Sequence, residues 1–361
     1  MTERIYLDHA ATSQMRPEAR EAMIEGMLRW ANPSSPHAEG RAARAALEEA
    51  RERIKAALGW EGHVIFTSGA SEALRIALRR AKGGRRWHSS VEHDAVLRAA
   101  PGAGVLPVNR EWDVDPDAIE DALAAEDRPV IAIQWVNPET GKVQPIELYA
   151  PMIEAGGGVF VTDASQLWGL NRFPRRGQML VISAHKLGGP IGVGALLVGD
   201  LGLLEPSGGQ EFGYRGGTEN LPAVLGFAAA VEAWAAKCDA ADADRHQALM
   251  DMFRTLETYG AQRLTGYGET VSAISAIAMP NLSAAAQLVR FDLKGFAVSA
   301  GSACASGTLK QSRVLEAFGV EPEVAARTIR VSTGWSTTAE EIRRFTDTWI
   351  DIAMGAAAKA G

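Results

Sequence analysis

Two residues able to do covalent and acid–base chemistry stand 23 positions apart, Asp163 and Lys186, each just after an apolar run. Asp163 closes "GVFVTD" (158–163). Lys186 follows "MLVISA" (179–184) and opens onto "LGGPIGVG", a stretch dominated by glycine. A solvated lysine needs no such frame; a lysine that must be held at one point does. Upstream, "HVIFT" runs into Ser68-Gly69-Ala70-Ser71 and then into a helical pattern. Exposed backbone N–H groups and a hydroxyl at a helix N-terminus favour a phosphate.

Taken singly, each feature has an ordinary explanation. A strand-end aspartate caps a helix, a lysine sits in water, and four small residues make a tight turn. Together they meet the needs of pyridoxal 5'-phosphate. The lysine forms a Schiff base with the aldehyde, and the aspartate keeps the ring nitrogen protonated so that the ring accepts electrons.

The elements that must position these residues are short buried strands: "HVIFTSG" (63–69), "PVIAIQWVN" (129–137), "GVFVTD", "MLVISA" and "GALLVG" (194–199). They alternate with helical stretches such as "SEALRIALRRA". This rhythm predicts an α/β fold with a mostly parallel sheet covered on both faces, and sites at the carboxyl ends of its strands. In "GRAARAALEEARERIKAALG", Leu47, Ala50, Ile54 and Leu58 keep helical spacing and Gly59 ends the helix. Near the C-terminus, Thr338 with Glu341 reads as a capping box, and Ile342, Phe345, Trp349 and Ile352 form one apolar face. The stretch "AKCDAADADRHQA" (236–248) reads as a polar connection or a helix crossing between domains, with a smaller α+β unit after it.

At 361 residues the chain is long enough for two domains. Apolar content of 47% and a net charge of −7 fit a globular protein and argue against a nucleic-acid surface. The sequence has no apolar run of membrane-spanning length and no secretory signal at its start. Two cysteines, Cys238 and Cys304, make neither a disulfide framework nor a four-cysteine metal site, which predicts a reducing cytoplasm and no metal. Cys304 lies in "SAGSACASGTL", a run of small residues that reads as a loop able to move. Cys238 reads as a buried small hydrophobe.

Seven stretches in order, "YLDHAAT" (6–12), "NPSSPHAEGRAAR" (32–44), "FTSGASEA" (66–73), "VEHDAV" (91–96), "SAHKLGGP" (183–190), "RGGTEN" (215–220) and "GSACASG" (301–307), resemble the cysteine desulfurases of the class V aminotransferase group. The resemblance runs from residue 6 to about 345. It implies pyridoxal-phosphate fold type I, aspartate aminotransferase-like. Residues 13–240 would be a large cofactor-binding domain, and 1–12 with 241–361 a small domain carrying the cysteine. Lys186 would bind the cofactor aldehyde and shuttle protons, Asp163 would pair the ring nitrogen, and Gln166 would bond the ring hydroxyl. His93 would stack on the ring and exchange protons with the substrate thiol. Ala70, Ser71, Ser183 and His185 would hold the phosphate, and Thr218 would reach the phosphate of a partner subunit, implying a homodimer. Arg330 would clamp the substrate carboxylate. Cys304 would take the sulfur of L-cysteine as a persulfide, leaving L-alanine, and pass it to an acceptor protein, as in iron–sulfur cluster assembly.

Three positions and the C-terminal stretch depart from the family pattern. Pro138 in "VNPETG" stands where a second asparagine is usual, so an amide contact to cofactor and substrate is lost or supplied otherwise, and Asn137 is not counted as a site residue. Trp335 replaces an arginine, Gln311 replaces a proline, and the C-terminus ends in "MGAAAKAG" without the family's scaffold-loading extension. The alternatives within the fold are a selenocysteine lyase, an aminotransferase or another lyase. Outside catalysis, the alternative is a cofactor-binding partner protein.

Overall fold

The computed structural model describes residues 4–170, 173, 178–236, 239–301 and 312–358, apart from the side chains of 239–241. In chain order the elements are β1 (Ile5–Tyr6), α1 (Pro17–Met27), α2 (Ala38–Leu58), β2 (His63–Thr67), α3 (Ala70–Arg80), β3 (Arg86–Ser89), α4 (Asp94–Ala99) and β4 (Gly104–Leu106). There follow α5 (Pro116–Ala125), β5 (Val130–Gln134), α6 (Ile146–Ala155), β6 (Val159–Asp163), β7 (Met179–Ser183), β8 (Gly194–Val198), α7 (Leu221–Ala235) and α8 (Asp239–Thr258). The last are β9 (Gln262–Leu264), β10 (Ile274–Ala278), α9 (Ala284–Leu293), β11 (Phe296–Ala297), α10 (Arg313–Ala317), α11 (Pro322–Ala325), β12 (Thr328–Ser332) and α12 (Ala339–Ala357).

Seven strands form one sheet in the order β2-β8-β7-β6-β5-β3-β4. All neighbours are parallel except β8, which runs antiparallel to both β2 and β7. The apolar runs belong here because both faces are covered. Val64, Phe66, Ile131, Ile133 and Leu180 face a core shared with α2 and α7, while Ile65, Val130, Ala132, Val161 and Val181 face a core shared with α3 and α4. Alternate residues of one strand thus serve two cores, which is why these strands are apolar throughout. The "PVIAIQWVN" strand ends earlier than its apolar run, at Gln134, because Val136 turns away to bridge Val143.

A second arrangement follows the sequence's change of pattern. β9, β10 and β12 form a three-stranded antiparallel sheet, and β1 pairs with β11. Ile5, Leu7, Phe253, Ile277, Phe291 and the α12 face Ile342, Phe345, Trp349 and Ile352 fill its core. The start of α12 has the expected capping box, with Glu341 N–H donating to Thr338 Oγ1 at 3.2 Å and Thr338 N–H to Glu341 Oε2 at 2.7 Å. Gly59 ends α2 in the left-handed region at φ 64°, and the Trp60 N–H reaches back to the Lys55 carbonyl. The polar stretch from 236 is a helix from Asp239 onward.

Candidate active site

β6 and β7 are parallel neighbours, so their carboxyl ends lie at the same edge of the sheet. Asp163 is the last residue of β6, and Lys186 ends a single 3-10 turn directly after β7. The glycines after Lys186 are needed for close approach: a Cβ on Gly188, φ +82°, would fall 2.7 Å from Arg16 Cγ and 3.0 Å from Trp335 Nε1. At the same edge, β2 leads into α3 through Gly69, φ +145°, which has no side chain to cap the helix. The leading N–H groups of α3, those of Ala70 and Ser71, are therefore open to an anion.

These ends surround a cavity of about 470 Å³. Ala70, Ser71, His93, Asp163, Gln166, Ser183, His185 and Lys186 all line it. A larger cavity of about 880 Å³, beside Trp168, Trp234 and Arg245, contains none of them. Chemistry, not size, picks out the smaller one.

The electrostatics suit a reactive amine. Burial lowers the Lys186 amine to about 8, with Arg330 adding to the fall and Asp163 and Asp8 opposing it. Its Nζ donates to the Ala10 carbonyl, which also accepts from Gln166 Nε2 at 2.9 Å. Gln166 therefore has its oxygen, an acceptor, to offer a ring hydroxyl. Burial and the Lys186 charge hold His185 near 4, so its imidazole is neutral; Nδ1 lies 3.1 Å from Thr12 Oγ1. Burial also lowers His93, with Lys186 adding to the fall and Asp163 opposing it. His93 caps α4, its Nδ1 accepting from Ala95 N–H at 3.1 Å. In the neutral ring the proton is thus on Nε2.

The residues fit pyridoxal phosphate. The cavity offers an amine for the aldehyde, a carboxylate for the ring nitrogen and an uncapped helix start with two serines and a neutral histidine for the phosphate. Ser165 Oγ, buried in the same wall, has no hydrogen-bond partner among the described residues. Glu72 also lines the cavity, a carboxylate near a phosphate cradle, but it accepts from Ser68 N–H at 2.6 Å and lies 3.3 Å from Arg215 Nε. Its charge is spoken for.

Two expected residues stand apart from the cavity wall. Thr218 is exposed on the segment before α7. Arg330, in β12 and 6% exposed, donates from Nη1 to the Pro138 carbonyl at 3.0 Å and from Nη2 to Asp8 Oδ1 at 2.7 Å. Pro138 itself lines the cavity, so Arg330 borders it from behind. Cys304 and Cys238 lie outside the described residues.

Asn137 folds its own turn, its Oδ1 accepting from the N–H groups of Glu139 and Thr140 at 3.0 Å. Trp335 stacks against Arg16, 5.2 Å from guanidinium to ring, and donates to the Gln14 carbonyl. A cation is thus present beside the tryptophan that replaces one. Sequence reasoning missed Asp8, Ser165 and Glu92. Glu92 is fully buried, and burial raises its carboxyl to about 8; Oε1 accepts from Ser89 Oγ and Gln134 N–H. Its place beside His93 in "VEHDAV" was the available signal. Among the described residues no cluster of His, Cys, Asp or Glu is placed to hold a metal, and no helix is long and apolar enough to cross a membrane.

Comparison with known proteins agrees with this geometry. The family model described as aminotransferase class-V matches residues 5–345. A putative cysteine desulfurase IscS 1 of Bacillus subtilis is 35% identical, over 94% of this chain and 96% of its own length. A cysteine desulfurase of Cereibacter sphaeroides is also 35% identical, over 95% and 94%. Among solved structures, a NifS-like protein from Rickettsia africae superposes with a TM-score of 0.88 at 29% identity, covering 97% of this chain and 99% of that one. SspA in complex with cysteine gives 0.77 at 30%, covering 91% and 98%. The architecture is pyridoxal-phosphate fold type I. With its lysine, aspartate and helix start at one sheet edge and a match over nearly its whole length, the chain belongs to the class V aminotransferase family.

Proposed function

We propose that this chain is a pyridoxal-phosphate-dependent cysteine desulfurase, a sulfurtransferase that releases L-alanine from L-cysteine and leaves the sulfur as a persulfide on Cys304. The observation that carries the reading is the convergence of Lys186, Asp163 and the open start of α3 on one cavity. The relatives named cysteine desulfurase and the neighbour solved with cysteine point to the substrate.

Lys186 would hold the cofactor aldehyde, Asp163 its ring nitrogen and Gln166 its hydroxyl. Ala70, Ser71, Ser183 and His185 would hold the phosphate, joined by Thr218 from a second copy in a homodimer. When bound, pyridoxal phosphate supplies an electron sink for the substrate carbons next to the amine. Lys186 Nζ, held near neutrality by burial, takes and returns protons at those carbons. His93 Nε2 exchanges a proton with the substrate thiol, since Nδ1 is committed to Ala95. Arg330 binds the carboxylate.

The Cys304 thiolate attacks the substrate sulfur. The carbon–sulfur bond breaks with its electron pair going to carbon, which is protonated, and a sulfur–sulfur bond forms on Cys304. Carbon is reduced, sulfur is oxidised, and the products are alanine and a persulfide.

In the same reading, an acceptor protein collects the sulfur by thiol attack, for iron–sulfur cluster assembly, in the cytoplasm. Residues 13–240 form the cofactor domain and 1–12 with 241–361 the smaller one. Purified protein given L-cysteine and a reductant should produce alanine and sulfide in equal amounts; formation of neither would overturn the proposal. Cys304→Ala should lose sulfide and persulfide while keeping the cofactor absorbance. Pro138, with no amide to offer, favours the second reading, a related lyase or aminotransferase, and that enzyme would be indifferent to Cys304→Ala.

A further inference from the structure

Arg16 stands just before α1, a position that Ser, Thr, Asp or Asn serves best and where a cation faces the positive end of the helix dipole. Its side chain makes no cap. It is also only 8% exposed, and burial lowers its guanidinium to about 10, with Glu18 opposing the fall and Arg245 adding to it. Neither the helix nor the solvent accounts for an arginine here. Such a conflict with local preference is the mark of a role elsewhere.

That role lies at the turn after β7. Arg16 Nε donates to the Leu187 carbonyl at 3.0 Å, and the Arg16 backbone N–H donates to the Gly188 carbonyl at 2.8 Å. From the same segment, Ser13 N–H donates to the His185 carbonyl at 2.8 Å. The carbonyls on both sides of Lys186 are therefore held from residues 13–16, and the Ala10 carbonyl takes the far end of its side chain.

The guanidinium cannot shift freely. It lies between Trp168 and Trp335, 5.6 and 5.2 Å from their ring centres. Trp335 is itself tied to the Gln14 carbonyl at 2.8 Å, and even a Cβ on Gly188 would fall 2.7 Å from Arg16 Cγ. Arg16 does not line the cavity, so it acts through Leu187 and Gly188. We infer that Arg16 is a positioning residue for Lys186: wedged between two indoles, it fixes the turn from which the amine meets the cofactor aldehyde. The inference rests on the reading that Lys186 holds that aldehyde. Misplacement of a reacting group by about 1 Å costs orders of magnitude in rate.

The test compares Arg16→Met with Arg16→Gln. Both are neutral and keep the stem. Glutamine places an N–H donor where the arginine has Nε, and methionine places a methyl there. In Arg16→Met, uptake of pyridoxal phosphate by apoprotein should slow about tenfold, and kcat for alanine formation should fall about tenfold with KM within about threefold, because Arg330 is untouched. Without cofactor, acetylation of Lys186 by acetic anhydride, followed on its own peptide across pH, reads the amine directly. A loosened turn lets water reach it, so the midpoint should rise by at least about half a pH unit from its low value. Arg16→Gln should stay within about threefold of the parent in both rates and keep the parent's midpoint. The urea midpoint of either variant should lie within about 0.5 M of the parent's, since loss of a buried cation offsets loss of its contacts.

Unchanged uptake and acetylation in Arg16→Met, a glutamine variant no better than methionine, or a fall in stability alone would each overturn the inference. If Arg16→Met does not fold, Trp335→Phe, which thins one wall of the slot, takes its place: slower uptake supports the inference and unchanged uptake overturns it. If the parent apoprotein takes up no pyridoxal phosphate, the cofactor reading fails, and the acetylation comparison still decides whether Arg16 governs the Lys186 amine.

Discussion

Asp8 Oδ1 accepts from Arg330 Nη2 at 2.7 Å, so the guanidinium proposed to receive a substrate carboxylate already has a carboxylate beside it. Nη1 is on the Pro138 carbonyl, and the buried Nε has no hydrogen-bond partner among the described residues. Three separate directions are in use or on offer, which a planar fork can serve and an ammonium cannot. Arg330→Lys should therefore raise KM for L-cysteine roughly tenfold to hundredfold, equivalent to about 1.4–2.8 kcal/mol, with the cofactor retained. Steady-state kinetics check it, and an unaltered KM would sink the carboxylate role.

The same aspartate acts on Lys186. Burial brings the amine to about 8, and Asp8 is one of two carboxylates opposing that fall. Only a neutral amine attacks an aldehyde, so uptake of pyridoxal phosphate by apoprotein should quicken as pH rises through about 8, not through the ordinary lysine range near 10.5. Asp8→Asn removes an opposing charge, and the midpoint should move lower. Stopped-flow absorbance across pH reads both. A midpoint that stays put in Asp8→Asn would remove Asp8 from the amine's electrostatics.

Glu92 gives the fold a pH dependence of its own. Its carboxyl is raised from 4.5 to about 8, first by burial and then by Asp163, with Ser89, Gln134 and Arg313 opposing. Between those values the folded chain keeps a proton that the unfolded chain has released. The contribution is thus full below about 4.5 and lost as pH rises through about 8, on the order of a few kcal/mol. Glu92→Gln keeps an oxygen for Ser89 Oγ and the Gln134 N–H but cannot ionise. Urea midpoints at about pH 6 and pH 9 should fall less in the variant than in the parent. Equal falls would mean that Glu92 is not the titrating group.

The parts of this site that could be read in sequence are those set by local signals. Asp163 and Lys186 follow buried apolar runs, and Gly69 announces the uncapped start of α3, so each could be placed from its own neighbourhood. The capping box of α12 was legible for the same reason. What was hidden depends on pairs far apart in the chain: Asp8 with Arg330 across 322 positions, Glu139 with Ser312 across 173. No periodicity marks such partners. Pro138 was visible as a departure, but not that its carbonyl, which any residue has, is what Arg330 uses. Trp335 likewise read as a lost cation, whereas Arg16 folds against it. The run from 236 carried both readings because its polar residues suit either a connection or an exposed helix.

The turn proposed to hold the phosphate follows a strand, β2, that a buried ion pair grips. Arg51 Nη1 and Nη2 donate to Glu211 Oε2 and Oε1 at 2.8 and 3.0 Å, with the side chains only 3% and 0% exposed. Both partners also grip β2, Arg51 through the Val64 carbonyl and Glu211 through the Phe66 N–H at 2.7 Å. Glu211 and Phe212 sit at φ +47° and +59°, a region costly for residues with side chains, and the pair holds them there. Glu211→Ala leaves a buried guanidinium without its carboxylate and should cost roughly 3–5 kcal/mol. Because β2 runs directly into Ser68 and Gly69, the same variant should also bind pyridoxal phosphate more weakly. Thr218→Ala, at an exposed position, separates the two effects: stability within about 0.5 kcal/mol of the parent, but weaker cofactor retention if Thr218 reaches a phosphate. Denaturant unfolding and cofactor titration measure the two quantities. A Glu211→Ala loss below about 1 kcal/mol would show that β2 and the turn after it stand without the pair.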